Sequence, residues 1–250
     1  MNLLDCTEDR LLDGRVLLRQ PRRGLRAGLD AVLLAAGIPA RPGQRVLEAG
    51  CGSGAAFLCL AARVPDLAFV AVERDPALAA LASTNAAANG LADRVEVIVG
   101  DVRDLALAGG LPRCDHGFAN PPFWPDGTTS PDPLRRAATH AAADPAAVGL
   151  DHWAGFLAAA LAPRGTLTLI LPAGRLEAGL AALAAADCGA VRLMPFWPHA
   201  GEAAKRLLLQ GRRGARGPLR LAAGLILHEA GAGFTAAADH ILRDGAALPE

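Results

Sequence analysis

The chain has 250 residues, of which 52% are hydrophobic, and its 25 basic and 25 acidic residues give a formal net charge of zero. A chain of this length and apolar content builds a full hydrophobic core, which excludes global disorder. The neutral total does not favour a strongly basic nucleic-acid binder, although totals hide local patches.

Other composition features bear on compartment and metal content. The five cysteines are an odd number without a C-x-x-C pair, which argues against a disulfide framework or a zinc site. The N-terminus carries acids where a signal peptide has a basic start, and no stretch approaches 18 uncharged apolar residues. We therefore expect a cytoplasmic protein with no metal and no membrane segment.

Residues 1–40 are predicted to form an N-terminal extension, a strand hairpin and a helix, that packs on the core. Residues 14–20 have the pattern of a strand, and residues 29–36 have that of a buried helix. An Arg-Pro-Gly segment at 41–43 marks the boundary with a second unit, 41–250.

From residue 45 onward, short apolar runs alternate with helical stretches. The runs are typical of buried parallel strands and lie at 45–49, 68–73, 95–100, 115–119 and 166–171. The helical stretches between them lie at 55–63, 76–89 and 152–161. This rhythm predicts an α/β fold with a doubly wound, mostly parallel sheet and helices on both faces.

The last third of the chain departs from this rhythm. A helix at 173–186 is followed by three strand-like runs, 191–197, 205–211 and 219–229, and then by a helix at 235–243. Consecutive strands without intervening helices predict an antiparallel hairpin at the end of a mostly parallel sheet.

A glycine-rich turn follows the first core strand, where residues 46–54 read V-L-E-A-G-C-G-S-G. Gly50, Gly52 and Gly54 let the backbone turn tightly and let a ligand approach closely, and the free N–H groups at the next helix start suit a polar or anionic group. The same glycines also fit a turn without a ligand, or the looser fingerprint of a nicotinamide dehydrogenase. They cannot choose the cofactor by themselves.

Three acidic residues narrow the choice of cofactor. Glu73 ends the second strand, as expected of an acid that binds two ribose hydroxyls, and Asp101 ends the third, beside the adenine end of a ligand. Asp101 would equally serve as a helix cap. Glu48, just before the glycines, could take the ammonium of a methionine moiety, a group that a dehydrogenase does not need.

The most specific motif is Asn120-Pro121-Pro122-Phe123, directly after the fourth strand. Ligands of open α/β sheets bind at this carboxyl edge. The prolines fix φ and lack N–H donors, so their carbonyls stay free as acceptors beside the Asn120 oxygen. The alternative is a structural Pro-Pro turn with a buried Phe123.

Two such acceptors suit an exocyclic amine on an aromatic ring, which is a poor nucleophile because its lone pair is delocalised. Acceptors that hold both amine hydrogens turn the lone pair out of conjugation and stabilise the positive charge that develops on nitrogen. Phe123 would stack on the ring face. No strong general base is needed.

With these residues in place, the sequence resembles the class I S-adenosylmethionine methyltransferases of the N-P-P-[YF] type, which methylate amino nitrogens of adenine, guanine or glutamine. It is most similar to the bacterial tRNA adenine-N6 methyltransferase family, which modifies the adenosine beside the anticodon of a valine tRNA. The segments that indicate this branch are 12–16, 20–21, 28–34, 204–208 and 227–229. Phe123 stands where tyrosine is commoner, a change that preserves stacking.

The resemblance implies a sheet of seven strands in the order 3-2-1-4-5-7-6, with an extra strand and helix at the C-terminus. It implies S-adenosylmethionine as the cofactor, bound by seven residues: Asp30, Glu48, Gly50, Gly52, Gly54, Glu73 and Asp101. Asn120, Pro121 and Phe123 would hold the target amine, most simply adenine N6 in tRNA. Ribosomal RNA guanine N2, a protein glutamine and a cofactor-binding module without chemistry remain alternatives, the last disfavoured by the intact motif.

Two basic segments are candidates for contact with RNA phosphates. Residues 10–26 contain six arginines and one acid, and residues 205–220 contain six basic residues and no acid. Such segments are equally typical of solvated strand faces and hairpin tips. We expect an RNA substrate to contact both segments.

Overall fold

The computed structural model describes residues 5–23, 26–122, 148–231 and 233–249. Phe123 and most of the proline-rich segment that follows it lie outside the described residues. The elements before that segment are β1 Cys6–Leu11, β2 Val16–Pro21, α1 Leu29–Gly37, β3 Arg45–Ala49, α2 Ala55–Arg63, β4 Ala68–Glu73, α3 Pro76–Ala88, β5 Val95–Val99, α4 Leu105–Gly110 and β6 Cys114–Ala119. Those after it are α5 Leu150–Ala160, β7 Leu161–Pro172, α6 Leu176–Ala185, β8 Cys188–Trp197, β9 Arg206–Arg213, β10 Arg220–Leu221, β11 Leu225–Ile226 and α7 Ala236–Asp244.

The main sheet runs β10-β8-β9-β7-β6-β3-β4-β5, with β11 also paired to β8. Numbered from β3, its seven longer strands lie in the order 3-2-1-4-5-7-6. Only β9 is antiparallel to its neighbours, β7 and β8. The mostly parallel sheet that ends in an antiparallel hairpin is therefore confirmed, and the two short strands on β8 give this sheet nine strands within the part of the chain that the structure describes.

The single strand predicted at 219–229 is wrong. Within residues 219–229, the chain forms strand pairs with β8 at β10 and β11, and the backbone leaves the ladder between them at Gly224. Gly224 has a φ of +84°, and a Cβ there would lie 2.1 Å from the Trp197 ring. Only glycine fits this bend, which splits the run in two.

Helices cover both faces of the sheet and bury two apolar layers. The first layer, around the fully buried Phe57, receives α1, α2, α3 and α7. The second, around the fully buried Phe156, receives α4, α5 and α6. A buried aromatic side chain contributes roughly 1.5–3 kcal/mol by leaving water, so both layers stabilise the packing of helices on the sheet.

The N-terminal hairpin is a separate two-stranded antiparallel sheet of β1 and β2. Val16 and Leu18 on β2 are buried in the first apolar layer. Seven residues of α1, from Ala31 to Gly37, are buried as well, so this helix shares the layer with α2. No helix among the described residues is long and apolar enough to cross a membrane.

Candidate active site

Four adjacent parallel strands bring the predicted site residues to one edge of the sheet. The strands lie in the order β6-β3-β4-β5, and Ala49 pairs with both Ala119 and Val72. Gly50, Glu73, Asp101 and Asn120 come at or directly after the carboxyl ends of these strands. Three inter-strand spacings of about 4.8 Å separate the outer two, so the site spans roughly 14 Å. We call this side of the sheet the carboxyl edge.

The glycine turn, residues 50–54, contains three glycines with positive φ, and two of them also leave no room for a side chain. Gly50, Gly52 and Gly54 have φ values of +68°, +54° and +93°. A Cβ at Gly50 would lie 2.6 Å from the Trp153 ring, and one at Gly54 would lie 2.5 Å from the Phe57 ring. A Cβ at Gly52 would meet nothing within 4 Å. Gly52 therefore faces open space where a ligand can approach the backbone.

Glu73 connects the glycine turn to the end of β4. Its Oε2 accepts a hydrogen bond from the Gly52 N–H at 2.9 Å, and its Oε1 accepts one from the Asp75 N–H at 3.0 Å. Each carboxylate oxygen has two lone pairs, so both oxygens keep an acceptor position. Glu73 can therefore hold the turn and still accept from a pair of ligand hydroxyls.

Glu48 is a buried carboxyl group, 3% exposed, whose Oε2 accepts a hydrogen bond from the Phe57 N–H at 3.0 Å. Burial raises the pKa of Glu48 well above its ordinary value, and the charge of Glu73 raises the same pKa further. A cation beside this carboxyl would offset both effects. The pair of acids and the open space at Gly52 thus fit a ligand that carries hydroxyls and an ammonium group.

Asp101 follows β5 and is held in place by Arg103. Its Oδ1 accepts from the Arg103 N–H at 2.9 Å, and the Arg103 Nη2 lies 2.7 Å from Oδ2. These hydrogen bonds lower the pKa of Asp101. The carboxylate is therefore ionised and oriented at the end of the row formed by Glu73 and the glycine turn.

Asp30 lies near the start of α1 and forms an ion pair with Arg206 at 3.0 Å. Arg206 pairs with Pro172 at the end of β7, which places the ion pair at the carboxyl edge, on the β9 side. The described contacts of the Asp30 carboxylate are with this arginine, and its assignment to the cofactor stays a prediction.

Asn120 and Pro121 extend β6 beside the glycine turn. Because Ala119 pairs with Ala49, Asn120 and Gly50 are the residues that directly follow this last strand pair on two neighbouring strands. Asn120 is half-buried and Pro121 is buried. Phe123, the third predicted residue of the amine site, lies outside the described residues.

Two contacts of the glycine turn were not anticipated. Trp153 on α5 covers Gly50, and its Nε1 has no hydrogen-bond partner among the described residues. Asn85 donates a hydrogen bond to the Ser53 carbonyl at 2.8 Å. An asparagine inside a helix is unfavourable unless its side chain has other partners. Its presence in a predicted helix was the sequence feature that could have indicated this contact.

The cysteines and possible metal ligands form a separate group of residues. All five cysteines are free, and burial raises the pKa of the Cys51 thiol well above its ordinary value, so Cys51 is an inert packed thiol. Within the described ranges, no group of three His, Cys, Asp or Glu side chains could hold a metal ion.

The sheet and its carboxyl edge define a class I S-adenosylmethionine-dependent methyltransferase, and S-adenosylmethionine is the cofactor that fits the site. A family model described as "Methyltransferase domain" matches residues 46–119, from β3 to the end of β6. A predicted O-methyltransferase from Agrobacterium tumefaciens has a similar structure, with a TM-score of 0.71, 27% identity, and 88% of this chain and 98% of that one covered. The 16S rRNA N2 G1207 methyltransferase of Thermus thermophilus, solved with AdoMet and guanosine, shares the fold, with a TM-score of 0.56, 20% identity, and coverage of 85% and 51%.

Curated relatives identify the family. The tRNA1(Val) (adenine(37)-N6)-methyltransferase of Aeromonas hydrophila is 35% identical over 197 residues, which cover 77% of this chain and 79% of the relative. Across three curated relatives of that name, the matched region spans 61% to 80% of their own length. The chain belongs to the tRNA1(Val) (adenine(37)-N6)-methyltransferase family, and it is an S-adenosylmethionine-dependent N-methyltransferase.

Proposed function

We propose that this enzyme transfers a methyl group from S-adenosylmethionine to the exocyclic N6 of an adenine in tRNA. The observation that carries the proposal is the register of β3 and β6, which sets Asn120-Pro121 beside the glycine turn. An amine held by Asn120 and Pro121 would face a methyl donor bound at the glycine turn. The names of the curated relatives, which specify adenine 37 of tRNA1(Val), support tRNA over other acceptors.

The proposed chemistry needs only positioning and two hydrogen-bond acceptors. S-adenosylmethionine, when bound, supplies the electrophilic methyl group. The Asn120 Oδ1 and the Pro121 carbonyl oxygen accept the two amine hydrogens, so the nitrogen lone pair points toward the donor. The same acceptors stabilise the positive charge that develops on nitrogen, and the proton then leaves to solvent. Phe123 would stack on the adenine.

The cofactor assignment in this proposal follows the row of side chains along the carboxyl edge. Glu48 would pair with the ammonium group, Glu73 would accept from the ribose hydroxyls, and Asp101 would accept from the adenine amino group. Gly50, Gly52 and Gly54 would give the backbone access to the ligand. The burial of the Glu48 carboxyl and the open space at Gly52 support this assignment of cofactor groups to residues.

The first basic segment carries less uncompensated charge than its sequence suggests. Arg22 pairs with Asp5, just before β1, at 3.0 Å, and Arg19 and Arg26 pair with two acids of β1. Surface pairs of this kind are worth roughly 0–1 kcal/mol, so phosphate can still compete for the arginines. β2 leads toward the carboxyl edge, because Leu17 bonds to Asn89 at the end of α3 and Arg19 bonds to Asn85, one turn nearer the start of that helix. Arg22 and Arg23, which follow β2, are exposed. We propose that these two contact RNA.

The second basic segment is divided between two sides of the sheet. Lys205 and Arg206 begin β9 at the carboxyl edge, where Arg206 pairs with Pro172. Arg212 and Arg213 end the same strand roughly 23 Å away, at the opposite edge, because each residue of a strand adds about 3.3 Å. We therefore propose RNA contact for the start of this segment and not for its end.

Reversing Arg22 and Arg23 to glutamate is expected to raise KM for tRNA at least about tenfold, because each lost phosphate contact weakens binding and reduces its salt dependence. The Kd for S-adenosylhomocysteine should not change. Reversal of Arg212 and Arg213 is the matched control, with the same change of charge at the opposite edge, and should leave KM within about twofold. Steady-state methyl transfer across a salt series checks both. Equal effects of the two double variants would contradict the proposed RNA path.

The acceptor itself is tested with purified enzyme and methyl-labelled S-adenosylmethionine. Unmodified valine tRNA should become labelled, and the same tRNA with guanosine at position 37 should not. Ribosomal RNA and a glutamine-containing protein extract serve as competing acceptors. Label in either of these, with none in tRNA, would favour guanine N2 or glutamine methylation instead. A tRNA substrate would place the enzyme in the cytoplasm.

A further inference from the structure

The outer edge of β2 is paired by two side chains instead of a neighbouring strand. The Asn89 Oδ1 accepts from the Leu17 N–H at 2.9 Å, and its Nδ2 donates to the Leu17 carbonyl at 2.7 Å. Asn85 makes the same two bonds with Arg19, at 3.0 Å and 2.7 Å. We call Asn85 and Asn89 the asparagine pair.

The asparagine pair can bond to β2 because the spacing of side chains one helical turn apart is close to the spacing of alternate residues along a strand. Alternate residues of a strand direct their N–H and C=O groups to the same side, and they repeat every 6.6 Å or so. Side chains one helical turn apart on α3 are about 5–6 Å apart. Each carboxamide carries a donor and an acceptor, so it can imitate a peptide group of a partner strand. The hairpin is thereby fixed to α3.

The two asparagines differ in their third hydrogen bond. The Asn85 Nδ2 also donates to the Ser53 carbonyl at 2.8 Å, whereas the Asn89 Nδ2 donates to the carbonyl of Asn85 in its own helix at 2.7 Å. Asn85 is fully buried, with 0% exposure. Within the asparagine pair, only Asn85 joins the hairpin to the glycine turn.

The Ser53 carbonyl belongs to a part of the backbone that local conformation does not restrain strongly. Ser53 lies between Gly52 and Gly54, which both have positive φ and lack side chains that would limit rotation. The Gly52 N–H is held by Glu73, and the Ser53 carbonyl is held by Asn85. The Gly54 N–H of the same peptide donates to the Cys51 carbonyl at 2.8 Å. Loss of the Asn85 bond would therefore leave the carbonyl side of the Ser53–Gly54 peptide without its side-chain partner, next to Gly52, where a ligand can approach.

We propose that Asn85 is a positioning residue for cofactor binding, which holds the glycine turn in its ligand-ready conformation and ties that conformation to the docked hairpin. The proposal rests on the assignment of S-adenosylmethionine to the glycine turn, and it does not depend on the acceptor. It predicts that the two members of the asparagine pair contribute alike to stability and differently to cofactor affinity.

The test compares Asn85→Ala with Asn89→Ala, using S-adenosylhomocysteine as the probe. Both variants lose the same pair of bonds to β2, so both should lower Tm. Calorimetry at a temperature where each protein is folded should give a Kd about tenfold higher for Asn85→Ala, from one lost buried hydrogen bond, and within about twofold of wild type for Asn89→Ala. Asn85→Ser, whose side chain cannot reach both β2 and Ser53, should raise Kd like alanine if the alanine variant does not fold.

Two results would overturn the positioning role: equal shifts in Kd for the Asn85 and Asn89 variants, or wild-type Kd for the Asn85 variants despite a lower Tm. Because the probe needs no methyl acceptor, these results are independent of whether tRNA is the substrate. An enzyme that binds the probe as predicted and methylates no tRNA would overturn only the proposed function.

Discussion

Replacement of Asn120 by alanine is expected to lower kcat by about 10² to 10³, the usual loss when one preorganised hydrogen-bonding group at a developing charge is removed. The Kd for S-adenosylhomocysteine should stay within about twofold, because Asn120 follows β6 while the proposed cofactor residues follow β3, β4 and β5. Single-turnover methyl transfer and calorimetry measure the two effects separately.

Asn120→Asp is the matched variant for this experiment. It keeps an acceptor oxygen at the same position, removes the side-chain N–H donor and adds a negative charge that also stabilises a developing cation, so it should retain more turnover than alanine. Tm for both variants controls for folding, since Asn120 is half-buried. Wild-type kcat in Asn120→Ala would show that a side-chain acceptor at the end of β6 is not needed.

Glu48→Gln should have the second large effect, and it should act on affinity and stability in opposite directions. Glutamine keeps an oxygen that can accept from the Phe57 N–H but cannot pair with an ammonium group. Loss of a charged hydrogen bond in a buried site should raise Kd for S-adenosylhomocysteine about 100-fold. The unliganded protein should become more stable near neutral pH, because a buried carboxylate beside Glu73 is removed.

The pH dependence follows from the raised pKa of Glu48. The folded state binds the proton more tightly than the unfolded state, so the free energy of unfolding falls as pH rises from the unfolded pKa to the folded pKa. Glu48→Gln should remove this fall. Thermal unfolding of both unliganded proteins between about pH 5 and 8 checks it, and parallel Tm profiles would contradict the account. Glu48→Asp, which retains the charge, is the control.

Much of the fold could be predicted from local sequence because the pattern and the structure agree there. The bounds of β3, α2 and β4 are those expected, since each is an apolar segment bounded by glycine, proline or charged residues. β1 escaped separate prediction because its sequence, C-T-E-D-R-L, is mostly polar. α4 escaped because it has only six residues and ends in two glycines. The order of strands came from family resemblance rather than from local pattern.

The residues of the site could be proposed from their positions at strand ends, since parallel strands bring those positions to one edge. Contacts between distant segments could not be read in this way. The cover of Trp153 on Gly50 joins residues about a hundred positions apart, and the asparagine pair joins β2 to α3. The arginines near β2 looked unpaired because their acids lie on the other strand of the hairpin.

Nucleoside mass spectrometry of RNA from a strain that lacks this gene shows directly whether the enzyme methylates adenine N6 in tRNA. We expect N6-methyladenosine to disappear from the valine tRNA alone, and a plasmid copy to restore it while an Asn120→Ala copy does not. Unchanged N6-methyladenosine in tRNA, together with loss of N2-methylguanosine from ribosomal RNA or of a methylated glutamine, would contradict this expectation.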